Sequence, residues 1–196
     1  MPTATYYSKI NQKNLNHIKV ILNSGGIVIY PTETVWAIGC KSTLKKSVEK
    51  IYSIKNRKTS SPIISLLADY KQVDTYADSI SNLKEFKIIN SSDNPPTIIY
   101  PNCKKEIAHI SNEKNEVAFR ITPIEYLKEI INLIDSPLAS TSANISGEPT
   151  TTNLESIDKS ILNNVDLILN FKLKFSGIPS KIIKFNKKGE IQYLRK

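Results

Sequence analysis

Lys55 and Arg57 stand two residues apart, and Ser140, Ser142 and Asn144 recur at the same spacing inside a run, Pro137–Pro149, that carries no charge before Glu148. On an extended chain the two cations point to one side, where they repel each other. An anion such as a polyphosphate relieves that repulsion with charge-assisted hydrogen bonds. The alternative for this pair is plain helix-end chemistry, because cations near a C-terminus favour the dipole and cap its carbonyls. The second run is made of small, poor helix formers whose side chains compete for backbone hydrogen bonds. As a strand, its period of two puts Ser140, Ser142 and Asn144 on one face, with Thr141, Ala143 and Ile145 on the other. That face is a neutral strip of donors and acceptors, suited to orienting a ligand; a loop tied down by its own turns is the alternative. Glu33 is the one acid in a plausible site loop, able to orient water or a metal, or to bond its own turn.

Several common site designs are missing from the 196 residues. There is no Gly-rich Walker loop and no Rossmann G-x-G-x-x-G fingerprint. His17 and His109 are isolated, which leaves no Ser-His-Asp or Cys-His nucleophile and no metal-ligand spacing. Cys40 and Cys103 are far apart and form no Cys-x-x-Cys pair. A phosphate site here has to be built from side chains and loop amides.

The elements that must position these residues alternate between helix and strand. A helix is predicted over 11–24, stopped by Gly25-Gly26, then a buried strand over 26–30 ending in the turn Pro31-Thr-Glu-Thr-Val-Trp36. Ligands in open α/β sheets sit at such carboxyl ends. A helix over 43–54, capped by Ser42 or Thr43, runs into Lys55-Asn-Arg57. A strand follows at 62–68, a short helix capped by Asp69, a helix over 79–90 and a strand at 97–100. In 116–121, Ala118 and Arg120 face away from Val117, Phe119 and Ile121. Thr122-Pro-Ile-Glu125 reads as a capping box opening a helix over 123–134. A helix near 153–162, a strand at 165–169 and a hairpin about Asn186–Gly189 complete the chain. The pattern predicts one α/β domain over residues 1–196, with a mixed sheet and helices packed on it.

Composition agrees with that size. Forty per cent hydrophobic and 23% charged residues describe a globular chain with a real core. No apolar run is long enough to span a membrane and the first sixteen residues carry no apolar signal segment, so a cytoplasmic protein is expected. The net charge of +9 draws polyanions, although Lys, Asn and Ile enrichment runs through the whole chain.

With both clusters in view, the chain resembles the YrdC-type threonylcarbamoyl-AMP synthases from Gly25 to Arg195. The matching pieces stand in family order: Tyr30-Pro-Thr-Glu-Thr34, Lys55-x-Arg57, Pro96-Thr-Ile-Ile99, Val117-Ala-Phe-Arg120, Ser140-Thr-Ser-Ala-Asn-Ile-Ser-Gly147, Gly177-Ile-Pro-Ser180 and Leu194-Arg195. It looks like the short, single-domain form. The resemblance implies a twisted mixed sheet with a concave basic cavity. It also implies an enzyme that makes L-threonylcarbamoyladenylate and pyrophosphate from L-threonine, bicarbonate and ATP, with magnesium bound through the ATP phosphates. A separate transferase then places the threonylcarbamoyl group on tRNA.

Carried over by position, Lys55, Arg57, Ser142 and Asn144 form the catalytic tetrad. The cations hold phosphates or the threonine carboxylate, and Ser142 and Asn144 orient the nucleotide. Thr34, Ser140 and Ser180 contact threonine or carbamate, Arg120 and Arg195 are further anion contacts, and Thr97 belongs to the substrate-binding set. The chain departs from the family in having Trp36-Ala37 for Tyr-Gly, Lys58 for Pro, Asn94-Pro95-Pro96 for Pro-Gly-Pro and Lys181 after Ser180. Two other readings compete. One is an RNA-binding or ribosome-associated module using the same basic hollow for tRNA or double-stranded RNA. The other is a sugar-phosphate lyase, disfavoured because it needs clustered acidic metal ligands.

Overall fold

The computed structural model describes residues 4–59, 61–80, 94–186 and 188–195. The helix predicted over 79–90 lies almost wholly outside them; Ser79 and Ile80, which are described, are not helical.

The strands are β1 (Thr5–Tyr7), β2 (Val28–Pro31), β3 (Trp36–Lys41), β4 (Ile64–Leu67), β5 (Thr97–Tyr100), β6 (Val117–Ile121), β7 (Leu138–Ser142), β8 (Leu167–Leu169), β9 (Ile182–Phe185) and β10 (Ile191–Arg195). They form one sheet in the order β1-β8-β2-β3-β7-β4-β6-β5-β9-β10. Pairing is mixed: β1–β8, β2–β8, β4–β6 and β5–β9 run parallel, the other neighbours antiparallel. Sequence reading missed β1 and β3. The first is three residues long, and the second carries Gly39 in place of a strand former.

Helices α1 (Gln12–Asn23) and α4 (Glu125–Ile134) cover one face. Leu15, Ile18 and Leu22 of α1 meet Leu127, Ile130, Ile131 and Ile134 of α4 over Val28, Tyr30, Ala37, Leu138 and Leu167. Helix α2 (Lys45–Ile54), together with α3 (Val73–Tyr76) and α5 (Lys159–Leu162), closes the other face against Ile29, Ile38, Cys40, Ile98 and Phe119. Each fully buried aliphatic side chain contributes about 1.5–3 kcal/mol by leaving water.

Helix ends differ from several expectations for identifiable reasons. Asn11 caps α1 by accepting from Asn14 N, and Gly25 takes φ +89° to stop it. Neither Ser42 nor Thr43 caps α2, whose cap position is Leu44. The Ser42 hydroxyl is buried and bonded to Ser65 Oγ at 2.9 Å. The predicted capping box at Thr122 does not form either. Helix α4 starts at Glu125 after Ile124, and Thr122 is drawn into the interior. The helix expected near 153–162 is broken into a single 3-10 turn, Leu154–Ser156, and the four-residue α5 capped by Asp158. No helix of the described residues is long and apolar enough to cross a membrane.

Candidate functional site

One register row crosses five strands: Gly39, Ser140, Ile64, Ala118 and Ile99 are successive cross-strand partners. Three of the five are Gly, Ala or Ser, so the sheet is low there and leaves a hollow. The hollow is a cavity of about 370 Å³, opening on the face that also carries α1 and α4. That volume is within the usual range for small-molecule sites.

The walls come from four segments. The first is the β2–β3 turn, Thr32 to Val35, which Thr32 holds shut. Its Oγ1 donates to Val35 O at 2.6 Å and accepts from the amides of Thr34 and Val35 at 3.2 and 3.1 Å. With that proton committed, the Thr34 hydroxyl donates to Thr32 across 2.9 Å and keeps its own lone pairs for the cavity. Under this turn the Tyr126 hydroxyl donates to Pro31 O, and the Tyr30 hydroxyl donates to Ser140 Oγ at 2.7 Å. Burial pushes both phenols upward in pKa, so they remain protonated donors.

The second wall follows α2 and contains Arg57 and Pro62, with Arg57 Nη2 donating to Pro62 O at 2.8 Å. The third is the extended segment 170–181, which has no helix or strand of its own. It is strapped to the β2–β3 turn by Ser176 N donating to Glu33 O (2.8 Å) and Gly177 N donating to Thr34 O (2.9 Å). Gly177 takes φ +69°, a left-handed conformation natural to glycine. Phe175 packs on Trp36 with ring centres 5.9 Å apart, and Pro179 and Ser180 then line the cavity. The fourth wall is β10, with Leu194 and Arg195.

Seven of the ten residues singled out from sequence line this one cavity: Thr34, Arg57, Arg120, Ser140, Ser142, Ser180 and Arg195. Lys55, Thr97 and Asn144 stand behind its walls. Lys55 and Arg57 do not share a side as an extended chain predicts. Asn56 takes φ +50° and turns the chain between them. Lys55 is buried, and its ammonium donates to Ser142 O at 2.5 Å and to Asn144 O, while its own carbonyl accepts from Ser146 N. It thus holds the loop after β7 from behind. Burial first, and Arg57 second, lower its pKa from 10.5 to about 8.

Asn144 lies beyond the end of β7, so it does not continue the strip of Ser140 and Ser142. Its Nδ2 closes the 144–148 turn through Ile145 O and Glu148 O, and its buried Oδ1 has no partner. Thr97 is fully buried with its hydroxyl 2.9 Å from Ser180 Oγ. Arg195 grips Ser180 O through Nε and Nη2 at 2.9 and 2.5 Å.

Sequence reasoning left Glu33 open between water, metal and its own turn, and the structure gives it a different partner. Its Oε1 accepts from Arg120 Nη2, which also donates to Asn94 Oδ1 at 2.8 Å. Burial lowers the Arg120 pKa and the Glu33 carboxylate opposes that shift. The cavity is therefore lined by three guanidinium groups and one carboxylate.

The protein is thus of the α/β class, with a cationic, hydroxyl-rich hollow whose three guanidinium groups suit anionic ligands. The family model for Sua5, YciO and YrdC, described as telomere recombination, matches residues 20–196, and the chain belongs to that family. A threonylcarbamoyl-AMP synthase of Psychromonas ingrahamii is 30% identical over 171 residues, 86% of this chain and 90% of the relative. The crystal structure of E. coli YciO shares the fold with a TM-score of 0.83 at 21% identity, covering 100% of this chain and 96% of that one. P. abyssi Sua5 complexed with L-threonine superposes with a TM-score of 0.81 at 24% identity. That match covers 93% of this chain, which spans 53% of the longer P. abyssi protein.

Proposed function

We propose that this chain is a threonylcarbamoyl-AMP synthase, joining L-threonine, bicarbonate and ATP into L-threonylcarbamoyladenylate with release of pyrophosphate. The observation that carries it is the meeting of Arg57, Arg120 and Arg195 with the hydroxyls of Thr34, Ser140, Ser142 and Ser180 around one hollow. The threonine ammonium loses a proton to solvent, and its nitrogen bonds to the bicarbonate carbon with loss of water. A carbamate oxygen then attacks the α-phosphorus of ATP, and the bond to the β-phosphate oxygen breaks.

Both steps create or move anionic charge, which fixed cations and hydroxyl donors stabilise without a covalent intermediate. Arg57 and Arg195 suit the phosphates, and Ser142 the nucleotide. Lys55 and Asn144 act by shaping the loop that carries Ser142. The donor set does not form a metal cage: the described residues contain no group of three or more His, Cys, Asp or Glu, and Glu33 is committed to Arg120. Magnesium is assigned to the ATP phosphates in this reading, in keeping with its preference for phosphate and water oxygens. The product is an activated acyl donor, whose consumer is a transferase acting on tRNA.

Mass-spectrometric detection of threonylcarbamoyladenylate, with pyrophosphate release that requires threonine and bicarbonate together, tests the reading. Steeply salt-dependent RNA binding without turnover is the result that favours an RNA-binding module instead.

Trp36 is the sole tryptophan of the chain, so its emission reports on the segment 170–181. Substrate binding is expected to shift that emission. Phe175→Ala removes the ring contact, at a cost of about 1 kcal/mol in stability. It should abolish the shift and raise the KM for ATP or threonine severalfold.

A further inference from the structure

Trp36, the first residue of β3, gathers both ends of the loop that follows β7. Its carbonyl accepts from Ala143 N at 2.8 Å, its amide donates to Thr151 O at 3.1 Å, and its indole Nε1 donates to Thr152 O at 3.2 Å. Lys55 braces only the first half of that loop, through Ser142 O, Asn144 O and Ser146 N. The return limb, residues 149–152, rests on Trp36.

Three consecutive threonines on the return limb have different duties. Thr151 commits its hydroxyl to the next turn, donating to Asn153 O at 3.1 Å and accepting from Asn153 N at 2.9 Å. Thr152 gives its carbonyl to the indole. Thr150 lines the cavity, and its hydroxyl has no hydrogen-bond partner among the described residues. Trp36 itself does not line the cavity. Its side chain is buried and its ring packs on Phe175, which fixes the direction of the single indole donor.

We propose that Trp36 is the positioning residue of this return limb, and that Thr150, which it holds at the edge of the cavity, is a further contact to the nucleotide through its open hydroxyl. The proposal rests on the synthase reading and adds a pair of residues to it. Ser142 before the loop and Thr150 near its end put two hydroxyls from one loop into one cavity, so the nucleotide assigned to the first is assigned to the second. Trp36 thus does for Thr150 what Lys55 does for Ser142.

Calorimetric titration of the full chain with ATP and magnesium, and separately with L-threonine, tests the pair. Thr150→Val keeps the side chain's shape and removes its hydroxyl. It is expected to weaken ATP at least fivefold and to leave threonine within twofold of wild type. Trp36→Phe keeps a ring against Phe175 and removes the donor; Thr152 is exposed, so water satisfies the released carbonyl. This variant should weaken ATP as much as Thr150→Val does, again with threonine within twofold. Because Trp36 acts through Thr150, the two changes together should cost no more than Thr150→Val alone. Should the smaller ring leave the chain unfolded, 3-benzothienylalanine at position 36, with sulfur in place of the indole N–H, takes its place in the cycle.

Losses that multiply in the double variant overturn the role of Trp36. ATP affinity within twofold of wild type after Thr150→Val overturns the proposal, as does a threonine affinity that falls in step with it. Wild-type protein that binds ATP but forms no adenylate sinks the synthase reading and leaves the pair standing; wild-type protein that binds no ATP sinks both.

Discussion

Replacing Lys55 with methionine is expected to reduce adenylate formation at least a hundredfold while the protein still folds. Methionine keeps most of the volume of the buried stem but removes the donor shared by Ser142 O and Asn144 O. Each buried carbonyl left unsatisfied costs about 1–3 kcal/mol. Part of that is offset because an ammonium no longer has to be desolvated. The net loss of stability is therefore modest, and the loop after β7 relaxes to find other donors. That relaxation moves Ser142, and a displacement of about 1 Å at a positioning group is enough for a hundredfold loss in rate.

Lys55 also has a signature in pH. Its pKa is about 8 when folded and 10.5 ordinarily. Between those values the unfolded chain still holds a proton that the folded chain has released, so the contribution of this group to stability rises with pH across that window. It is lost as pH falls through about 8. Urea unfolding at pH 8 and pH 10 should show the difference between wild type and Lys55→Met growing in favour of wild type. A variant with full activity and unchanged pH dependence would remove Lys55 from the site altogether.

Gly39→Ala is expected to be the most damaging single methyl group in the sheet. A Cβ there meets Ala139 O at 2.4 Å and Tyr30 Oη at 2.8 Å, and neither can retreat easily. Ala139 O is sheet backbone between two paired strands, and the Tyr30 side chain is fully buried. Overpacking of this kind costs about 1–3 kcal/mol, which for a chain of this length lowers Tm by roughly 2–10 °C. Activity should fall further than stability accounts for. Tyr30 cannot be displaced without breaking its bond to Ser140, the residue paired with Gly39 on the cavity floor. Thermal unfolding and threonine-dependent pyrophosphate release measured on the same preparation separate the two effects. Normal Tm with normal turnover would mean that the floor of the cavity is more compliant than its packing indicates.

How much of this was legible beforehand depended on whether the signal was local. The alternation in 117–121 placed Arg120 opposite Phe119, and β6 does turn Arg120 to the cavity and Phe119 to the other core. The hairpin about Asn186–Gly189 was legible because Asn186 closes its own turn, accepting from Lys188 N and Glu190 N, with Gly189 at φ +72°. Ser42 and Thr122 misled although both have the side chains of helix caps. Ser42 Oγ is bonded to the distant Ser65, and Thr122 Oγ1 accepts from Ile124 N in the turn before the helix, which starts only at Glu125.

By itself the sequence determined the alternation of elements and the mixed α/β class, because periodicity and turn chemistry are properties of neighbouring residues; the seven side chains that line the cavity were singled out through the resemblance of its spaced motifs to a known family. The tertiary structure decided which polar groups face the hollow and which brace it. Lys55 and Arg57 part company at a left-handed Asn56, Glu33 finds Arg120 from 87 positions away, and Thr97 meets Ser180 from 83. Partners that distant are chosen by strand order and register in the sheet, and no local window along the chain contains that information.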